Sequence, residues 1–406
     1  MIDRLYKLLE QKYEQMVEMR RYLHQYPELS FQEYKTAQYI ASFYEERGIE
    51  VQMHVGGNGV VAKVHGKSPG KTVALRADFD ALPIQDEKTV PYRSKVNGVM
   101  HACGHDGHTA TLLILAEVLH ELRHEFDGTV VFIHQHAEEL APGGAKPMIE
   151  AGCLETVDVI FGTHLWATEP LGSILIHPES IMAAADRFEI VIKGKGGHGA
   201  QPHETKDSIL AASHLVLNLQ QIVSRRINPL DSAVLSIGSF EAVNAFNVIA
   251  EQAKLVGTVR TFKENIQNFM QEEIERIIQG TCLAFGVEYE FTYFKGYPPV
   301  INHKDQTTFL ADLAKDIPGV LKVHETEPLM VGEDFAYYLQ SVPGTFFLTG
   351  AQAPHNKNPY PHHHARFDFD ERAMLIAANT LGNAALTYMS ASPLLQKSNI
   401  SDTSKI

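Results

Sequence analysis

The sequence predicts an α/β chain: a mostly parallel sheet covered by helices, interrupted by a smaller α+β insertion of ferredoxin-like pattern. Three observations carry this. Short apolar runs at 71–77 and 129–134 alternate with helical stretches, as strands buried on both faces do. From about Ala184 the rhythm becomes strand–helix–strand–strand–helix–strand. After Pro298 the first rhythm returns. The domains read as 1–183 for the first part of the main domain, 184–295 for the insertion and 296–389 for the second part. A polar, Ser-rich tail at 390–406 is expected to be disordered.

Taken in order, residues 3–24 set Leu5, Leu8, Leu9, Met16 and Leu23 roughly on one stripe, an amphipathic helix that Pro27 ends. A second helix is expected over 31–47, with Gly48 placed to cap it. Strands at 51–55 and 60–64 flank the turn Gly56-Gly57-Asn58-Gly59. The strand at 71–77 delivers Asp78 and Asp80 at its C-terminal end, and an apolar helix is expected at 109–122. The strand at 129–134 runs into Gln135-His136-Ala137-Glu138-Glu139, and the strand at 157–162 ends at His164. In the insertion, strands are expected at 187–193, 232–241, 253–262 and 287–294, with helices at 207–227 and 264–285. Its edge strands are free to pair with a second copy of the chain. Residues 345–348 read as a short buried strand and 371–388 as the final helix.

At 406 residues the chain exceeds one ordinary core, so two domains are expected. A hydrophobic content of 44% and a charged content of 21% describe an ordinary globular chain. The net charge of -14 disfavours a general nucleic-acid binder or an anionic-membrane binder. Three cysteines, Cys103, Cys153 and Cys282, are no disulfide framework and suit a reducing cytoplasm. The first residues carry no apolar run like a signal peptide, and no stretch approaches the roughly 20 apolar residues of a membrane span.

The chemistry gathers around Met100-His-Ala-Cys-Gly-His-Asp-Gly-His-Thr-Ala110. Cys103 and His105 lie two apart between glycines, with Asp106 and His108 beside them. Mixed Cys, His and carboxylate sets hold zinc and its neighbours, and catalytic sites leave a position open for water. Asp78, Glu138, Glu139 and His164 all fall at expected strand C-termini, where ligands collect in α/β sheets. An acidic pair in a loop is commonly just solvated. Beside metal ligands, one member of Glu138-Glu139 can bind a cation while the other serves as general base. Of His362, His363 and His364, only one of three consecutive side chains is expected to face a given metal.

With these residues in hand, the chain resembles the amidohydrolase branch of the dinuclear-metal aminoacylase and carboxypeptidase family. This branch includes hippurate hydrolase, bacterial N-acyl-amino-acid deacylases and plant auxin-amino-acid conjugate hydrolases. The likeness spans about 16–388. It rests on Arg21-Tyr-Leu-His-Gln-Tyr-Pro-Glu-Leu29, Leu75-Arg-Ala-Asp-Phe-Asp-Ala-Leu-Pro83, the Met100–Ala110 stretch and His136-Ala-Glu-Glu139. It continues in Gly197-His-Gly-Ala-Gln-Pro-His203, Gly257-Thr-Val-Arg-Thr261, Gly332-Glu-Asp-Phe-Ala-Tyr-Tyr338 and His363-His-Ala-Arg-Phe-Asp368. The resemblance implies a metallohydrolase catalytic domain with a lid and dimerisation domain inserted. It also implies two divalent metal ions per subunit, manganese or zinc, with cobalt and nickel open. It places metal ligands on Cys103, His105, Glu139, His164 and His363, and the general base on Glu138. His198 matches a residue that reaches the substrate oxyanion, often in a neighbouring subunit. Asn247 and Arg260 match positions that hold a substrate carboxylate, and Asp78 and Asp80 match carboxylates that orient a ligating His. Where the family usually has Pro before the motif's last residues, this chain has Ala365, so His362 and His364 compete with His363 for the ligand position.

The implied activity is metal-dependent hydrolysis of the amide bond of an N-acyl amino acid in a cytoplasmic homodimer, without nucleic-acid or membrane partners. A metallo-dipeptidase or carboxypeptidase on the same fold is the neighbouring alternative. Two rivals differ in class. A cysteine amidase would use Cys103 as nucleophile and His105 as base, but residues two apart rarely make that pair. A catalytically silent metal-dependent binding protein would leave Glu138 without a task.

Overall fold

The structure is a computed structural model and describes residues 1–390. Beyond Ser390, the tail expected to be disordered lies outside the described residues. The chain divides into two compact units. One comprises Met1–Pro178, Asn302–Thr326 and the chain from Tyr338 onward; the other comprises Glu179–Ile301 and Glu327–Tyr337. Residues 184–295 thus sit inside the second unit, which also takes in a later segment. The Ala183 N–H donates to the carbonyls of Leu329 and Val331, a non-local pairing that no sequence period announces.

The first unit is built on an eight-stranded sheet. Its strands are β1 (Glu50–Val55), β2 (Gly59–His65), β3 (Thr72–Asp78), β4 (Thr129–Gln135), β5 (Val159–Pro170), β6 (Ser173–Ile176), β7 (Lys322–Glu325) and β8 (Gly344–Gln352). They lie in the order β1-β2-β4-β3-β5-β8-β6-β7. The centre, β4-β3-β5-β8, is parallel. Antiparallel partners extend it on both sides. Every residue of β3 is buried, as the unbroken apolar run required of a strand covered on both faces. The helices His105–Glu121 and Arg372–Ser390 share this core. Both are apolar around most of their circumference, which is the composition of a buried helix rather than a surface one.

Several boundaries differ from the sequence expectation for local physical reasons. The single helix expected over 3–24 is two, Ile2–Gln11 and Tyr13–Gln25, broken at Lys12. The second helix begins at Tyr34 because Phe31 is left-handed, at φ 64°. The helix expected from 109 starts at His105, so two histidines of the motif stand on its first turn. His164 lies inside β5, which runs on to Pro170, and not at a strand end.

The second unit has the antiparallel order Ala233–Glu241, Gln252–Thr261, Ala184–Lys193, Glu288–Tyr297. The helices Ser208–Gln221 and Glu264–Phe285 pack on it through a core that includes Phe188, Ile190, Leu215 and Ile274. This is the ferredoxin-like arrangement. Asp207 caps the first helix by accepting from the N–H groups of Ile209 and Leu210. That helix was expected to reach 227; it ends at Gln221 and continues as a wider turn, Ile222–Arg226.

One buried cation ties the first unit together. Arg20, fully buried on the helix Tyr13–Gln25, donates from Nε to Asp106 (2.8 Å), from Nη2 to Asp368 (2.9 Å) and from Nη1 to Glu371 (3.2 Å). Its guanidinium also lies over the rings of Phe369 and Tyr92. Asp106 follows His105, and Asp368 follows the His362–His364 run, so one side chain fixes both segments. Replacing Arg20 with Leu would leave three carboxylates without their shared cation. The expected loss is about 3–5 kcal/mol, the range for breaking a buried pair from one side. Chemical denaturation of Arg20→Leu against the parent measures it, and an unchanged midpoint contradicts the assignment.

Candidate metal centre

Four segments of the first unit converge beyond the carboxyl ends of β3 and β4. Gly104, left-handed at φ 103°, turns the chain between Cys103 and the helix that begins at His105. A Cβ on Gly107 would lie 2.6 Å from the Phe369 ring and 2.7 Å from Leu165, so glycine lets this first turn press against β5 and the 361–369 loop. β4 ends at Gln135 and hands the chain to Glu138 and Glu139. β5 carries His164, and the 361–369 loop carries the three histidines.

The donor atoms form two overlapping sets. Cys103, His164 and His362 bring ligand atoms within 4.8 Å of one another, and so do Cys103, His105 and Glu139. Cys103 belongs to both. Its Sγ lies 3.4 Å from His164 Nε2 and 3.8 Å from His362 Nδ1. His363 Nε2 lies 3.2 Å from Glu139 Oε2. His364 Nδ1 accepts from the Arg366 N–H, and its ring stacks on Tyr360 with centroids 4.4 Å apart.

Hydrogen-bond partners assign a tautomer to each ring, and the tautomer decides which nitrogen keeps a free lone pair. His105 donates from Nδ1 to Asp80, through both the backbone carbonyl and Oδ1 at 3.1 Å. Its Nε2 is buried and has no hydrogen-bond partner among the described residues. His164 donates from Nδ1 to the Leu165 carbonyl at 2.9 Å, which leaves Nε2 facing Cys103. His108 is used at both ends: Nδ1 donates to Asp78 Oδ1 (2.6 Å), and Nε2 accepts from the Leu165 N–H (2.9 Å). His362 resembles His108, because its Nε2 accepts from the Ala167 N–H at 3.3 Å. The proton of neutral His362 therefore sits on Nδ1, aimed at Cys103. Glu139 Oε1 is likewise buried and without a hydrogen-bond partner, 3.9 Å from His105 Nε2.

Two unpartnered buried atoms facing each other across the site, with a thiol shared by both donor sets, fit a borderline-soft divalent cation. The electrostatics agree. Burial alone would lower the His105 imidazole, but Asp78, Asp80 and Glu139 outweigh it and hold the ring up at about 10. Burial, then Glu139, Glu138 and Asp78, push the Cys103 thiol well above its usual range. That direction opposes the cysteine amidase, whose nucleophile needs a lowered pKa. His164 is held low by burial and by His108 and His362, and burial takes His362 down to about 3, so both rings are neutral. Burial would raise Asp80, but its bonds from His105, the Glu139 N–H and Ser30 Oγ keep it ionised.

Asp80 thus pairs with His105, whereas Asp78 pairs with His108, a residue outside the ligand set expected from the sequence. Arg76 Nη1 donates to Asp78 Oδ2 at 2.6 Å. Trp166, the one tryptophan of the chain, carries no signal in the motif pattern, yet its ring lies 4.5 Å from that of His362 and 5.3 Å from that of His164. Within the second unit, Val248 pairs with His198, which sets Asn247 beside the His198 loop. The Gly199 N–H donates to the Asn247 carbonyl at 2.7 Å. His198 Nδ1 accepts from the Ala200 N–H, so neutral His198 carries its proton on the exposed Nε2. Arg260 is half-buried on the strand Gln252–Thr261, bonded to Thr258 and to the Val259 carbonyl.

Residues 74–387 match the family described as Peptidase family M20/M25/M40. The Bacillus subtilis (strain 168) protein YhaA, named as an amidohydrolase, is 61% identical over 382 residues, covering 94% of this chain and 96% of its own length. The N-acyl-L-amino acid amidohydrolase of Geobacillus stearothermophilus is 46% identical over 303 residues, 75% of this chain and 82% of that protein. Among solved structures, the Bacillus subtilis YXEP protein, titled a dinuclear metal binding peptidase from the M20 family, superposes with a TM-score of 0.81 at 37% identity. It covers 94% of this chain and 99% of its own.

In the cation-free protein Cys103 and His105 both hold their protons at neutral pH, and both must release them to act as ligands. Cation affinity is therefore expected to rise with pH between about 6 and 8, with proton release visible as a buffer dependence of the binding heat. Emission from Trp166 reports occupancy during zinc or manganese titration of chelator-treated protein. A pH-independent affinity contradicts the assignment of Cys103 and His105.

Proposed function

We infer the function from one premise: the chain belongs to Peptidase family M20/M25/M40. It is a metal-binding amidohydrolase, and the bond it cuts is the amide of an N-acyl amino acid, giving a carboxylic acid and a free amino acid. The observation that carries this reading is the facing pair of unpartnered ligand atoms, His105 Nε2 and Glu139 Oε1, with Glu138 beside them. The relative from Geobacillus stearothermophilus supports the substrate class by its name.

The ligand set proposed is Cys103, His105, Glu139, His164 and His363, with Cys103 shared between two sites. His362 is left out because its Nε2 lone pair is taken by the Ala167 N–H. Zinc or manganese suits this donor set, and bound cations would supply Lewis acidity to the amide carbonyl and to a water. Glu138, 7% exposed and 3.9 Å from His105 Nε2, takes a proton from the attacking water. The water oxygen bonds to the carbonyl carbon, the carbon–nitrogen bond breaks, and Glu138 returns the proton to the leaving nitrogen. His198, with its proton on Nε2, is the donor proposed for the oxyanion, and Asn247 and Arg260 are proposed to hold the substrate carboxylate. The residue pattern also suits a cytoplasmic homodimer, because the cysteines are free and Ala233–Glu241 is an edge strand.

Two measurements test this. Chelator-treated protein is expected to release no amino acid from a panel of N-acyl amino acids and to recover turnover with manganese or zinc. Activity that survives thorough metal removal contradicts the reading. Separately, His363→Ala is expected to weaken cation binding by more than the roughly 10–100-fold that loss of an outer partner costs. His364→Ala is expected to leave it unchanged. The reverse order, read by metal content after dialysis, reassigns the ligand.

A further inference from the structure

The segment between the helix Tyr13–Gln25 and the helix Tyr34–Glu46 contributes no proposed ligand, yet it reaches the Glu138-Glu139 loop. Glu33 is fully buried there. Its Oε1 accepts from the N–H groups of Ala137 and Phe31, each at 2.9 Å, and its Oε2 accepts from Asn58 Nδ2 at 2.9 Å. Ala137 and Phe31 are both left-handed, at φ 53° and 64°, a conformation that non-glycine residues adopt only when neighbours impose it. One carboxylate oxygen therefore pins two strained amides, and one of them immediately precedes Glu138.

We propose that Glu33 is a positioning residue for the amide hydrolysis: it holds Ala137 left-handed and so sets the direction in which Glu138 leaves the backbone. The inference rests on the reading of Glu138 as general base. The loop is gripped on the other side by Asp80, which accepts from the Glu139 N–H at 2.9 Å and from Ser30 Oγ at 2.7 Å. Glu138 and Glu139 therefore sit between two buried acceptors, Glu33 before the pair and Asp80 on it. Of the two, only Glu33 lacks a bond to a proposed ligand's side chain, which makes it separable from cation binding. Its hydrogen-bond partners are all neutral donors, and burial raises its carboxyl to about 7. What Glu33 supplies is reach and an acceptor, not charge.

Two substitutions separate those properties. Glu33→Gln keeps the length and one acceptor oxygen for Ala137 and Phe31, while its new N–H group faces Asn58, whose amide can turn to accept. Glu33→Asp keeps the charge but is one methylene short. The proposal expects Gln to retain most of kcat. It expects Asp to lose about tenfold or more, towards the roughly 10²-fold that an ångström of misplacement costs, with KM and metal content little changed. Hydrogen exchange at the Ala137 amide, which needs no turnover, is expected to accelerate in Asp and stay slow in Gln. Asp active with Gln impaired overturns the proposal, as does wild-type kcat in both. Loss of turnover in Gln overturns it even where the Asp variant does not fold. A wild-type protein inactive on every N-acyl amino acid with metal restored would instead count against the functional reading, and the exchange rates would still decide the role of Glu33 in holding Ala137.

Discussion

The site depends on Arg20. A fully buried guanidinium is tolerable only where its donors are matched, and here three carboxylates from two distant stretches match them. The pairing draws the start of the helix His105–Glu121 and the loop after His364 onto one side chain. Cys103 and His105 lie just before one anchor, Asp106, and His362 and His363 lie just before the other, Asp368. Cys103 and His362, more than 250 residues apart in the chain, thus lie side by side where one ion cage holds both of their segments. His24 extends the cage: its Nδ1 lies 2.7 Å from Asp106 Oδ2, and its Nε2 accepts from Lys88 Nζ at 2.9 Å.

Around that cage, hydrogen bonding sorts chemically identical side chains into different jobs. Four imidazoles crowd the centre, yet two leave Nε2 unclaimed by any backbone N–H among the described residues and two give its lone pair to a backbone N–H of the β5 segment. His108 and His362 are braces; His105 turns its Nε2 toward Glu139 and His164 turns its Nε2 toward Cys103. The same division separates the acidic groups. Asp78 is occupied by His108 and Arg76 and Asp80 by His105 and the Glu139 N–H, whereas Glu139 Oε1 has no hydrogen-bond partner among the described residues. A buried atom left unsatisfied costs stability, so its persistence at the focus of a negative field is the mark of a place built for a cation.

Much of this could be read from the sequence. The apolar runs of β3 and β4 announced a covered parallel sheet, whereas His164, expected at a strand end, stands inside β5. The ferredoxin-like unit followed from its period alone. What could not be read was tertiary. Nothing in the spacing of His362, His363 and His364 tells which ring is claimed by Ala167, because that N–H arrives from another strand. Asp78, expected beside a ligating His, accepts from His108 Nδ1, and His108 stands on the first turn of a helix that starts four residues earlier than the sequence suggests. Glu33 looked like part of a helix; the left-handed Phe31 excludes it and turns it inward. The Glu327–Tyr337 segment joins the second unit through bonds to Ala183 that carry no local signal.

The central claim is that the Cys103 cluster binds the cations while Glu138 moves the proton, so the two functions can be pulled apart. Glu138→Gln is nearly isosteric and leaves Cys103, His105, Glu139, His164 and His363 in place. Turnover of the best N-acyl amino acid substrate should be measured alongside metal content for this variant and the parent. The account predicts full metal content with kcat reduced by about 10²–10⁴-fold, the range general acid–base catalysis supplies. Parent-like turnover at equal metal content would contradict it.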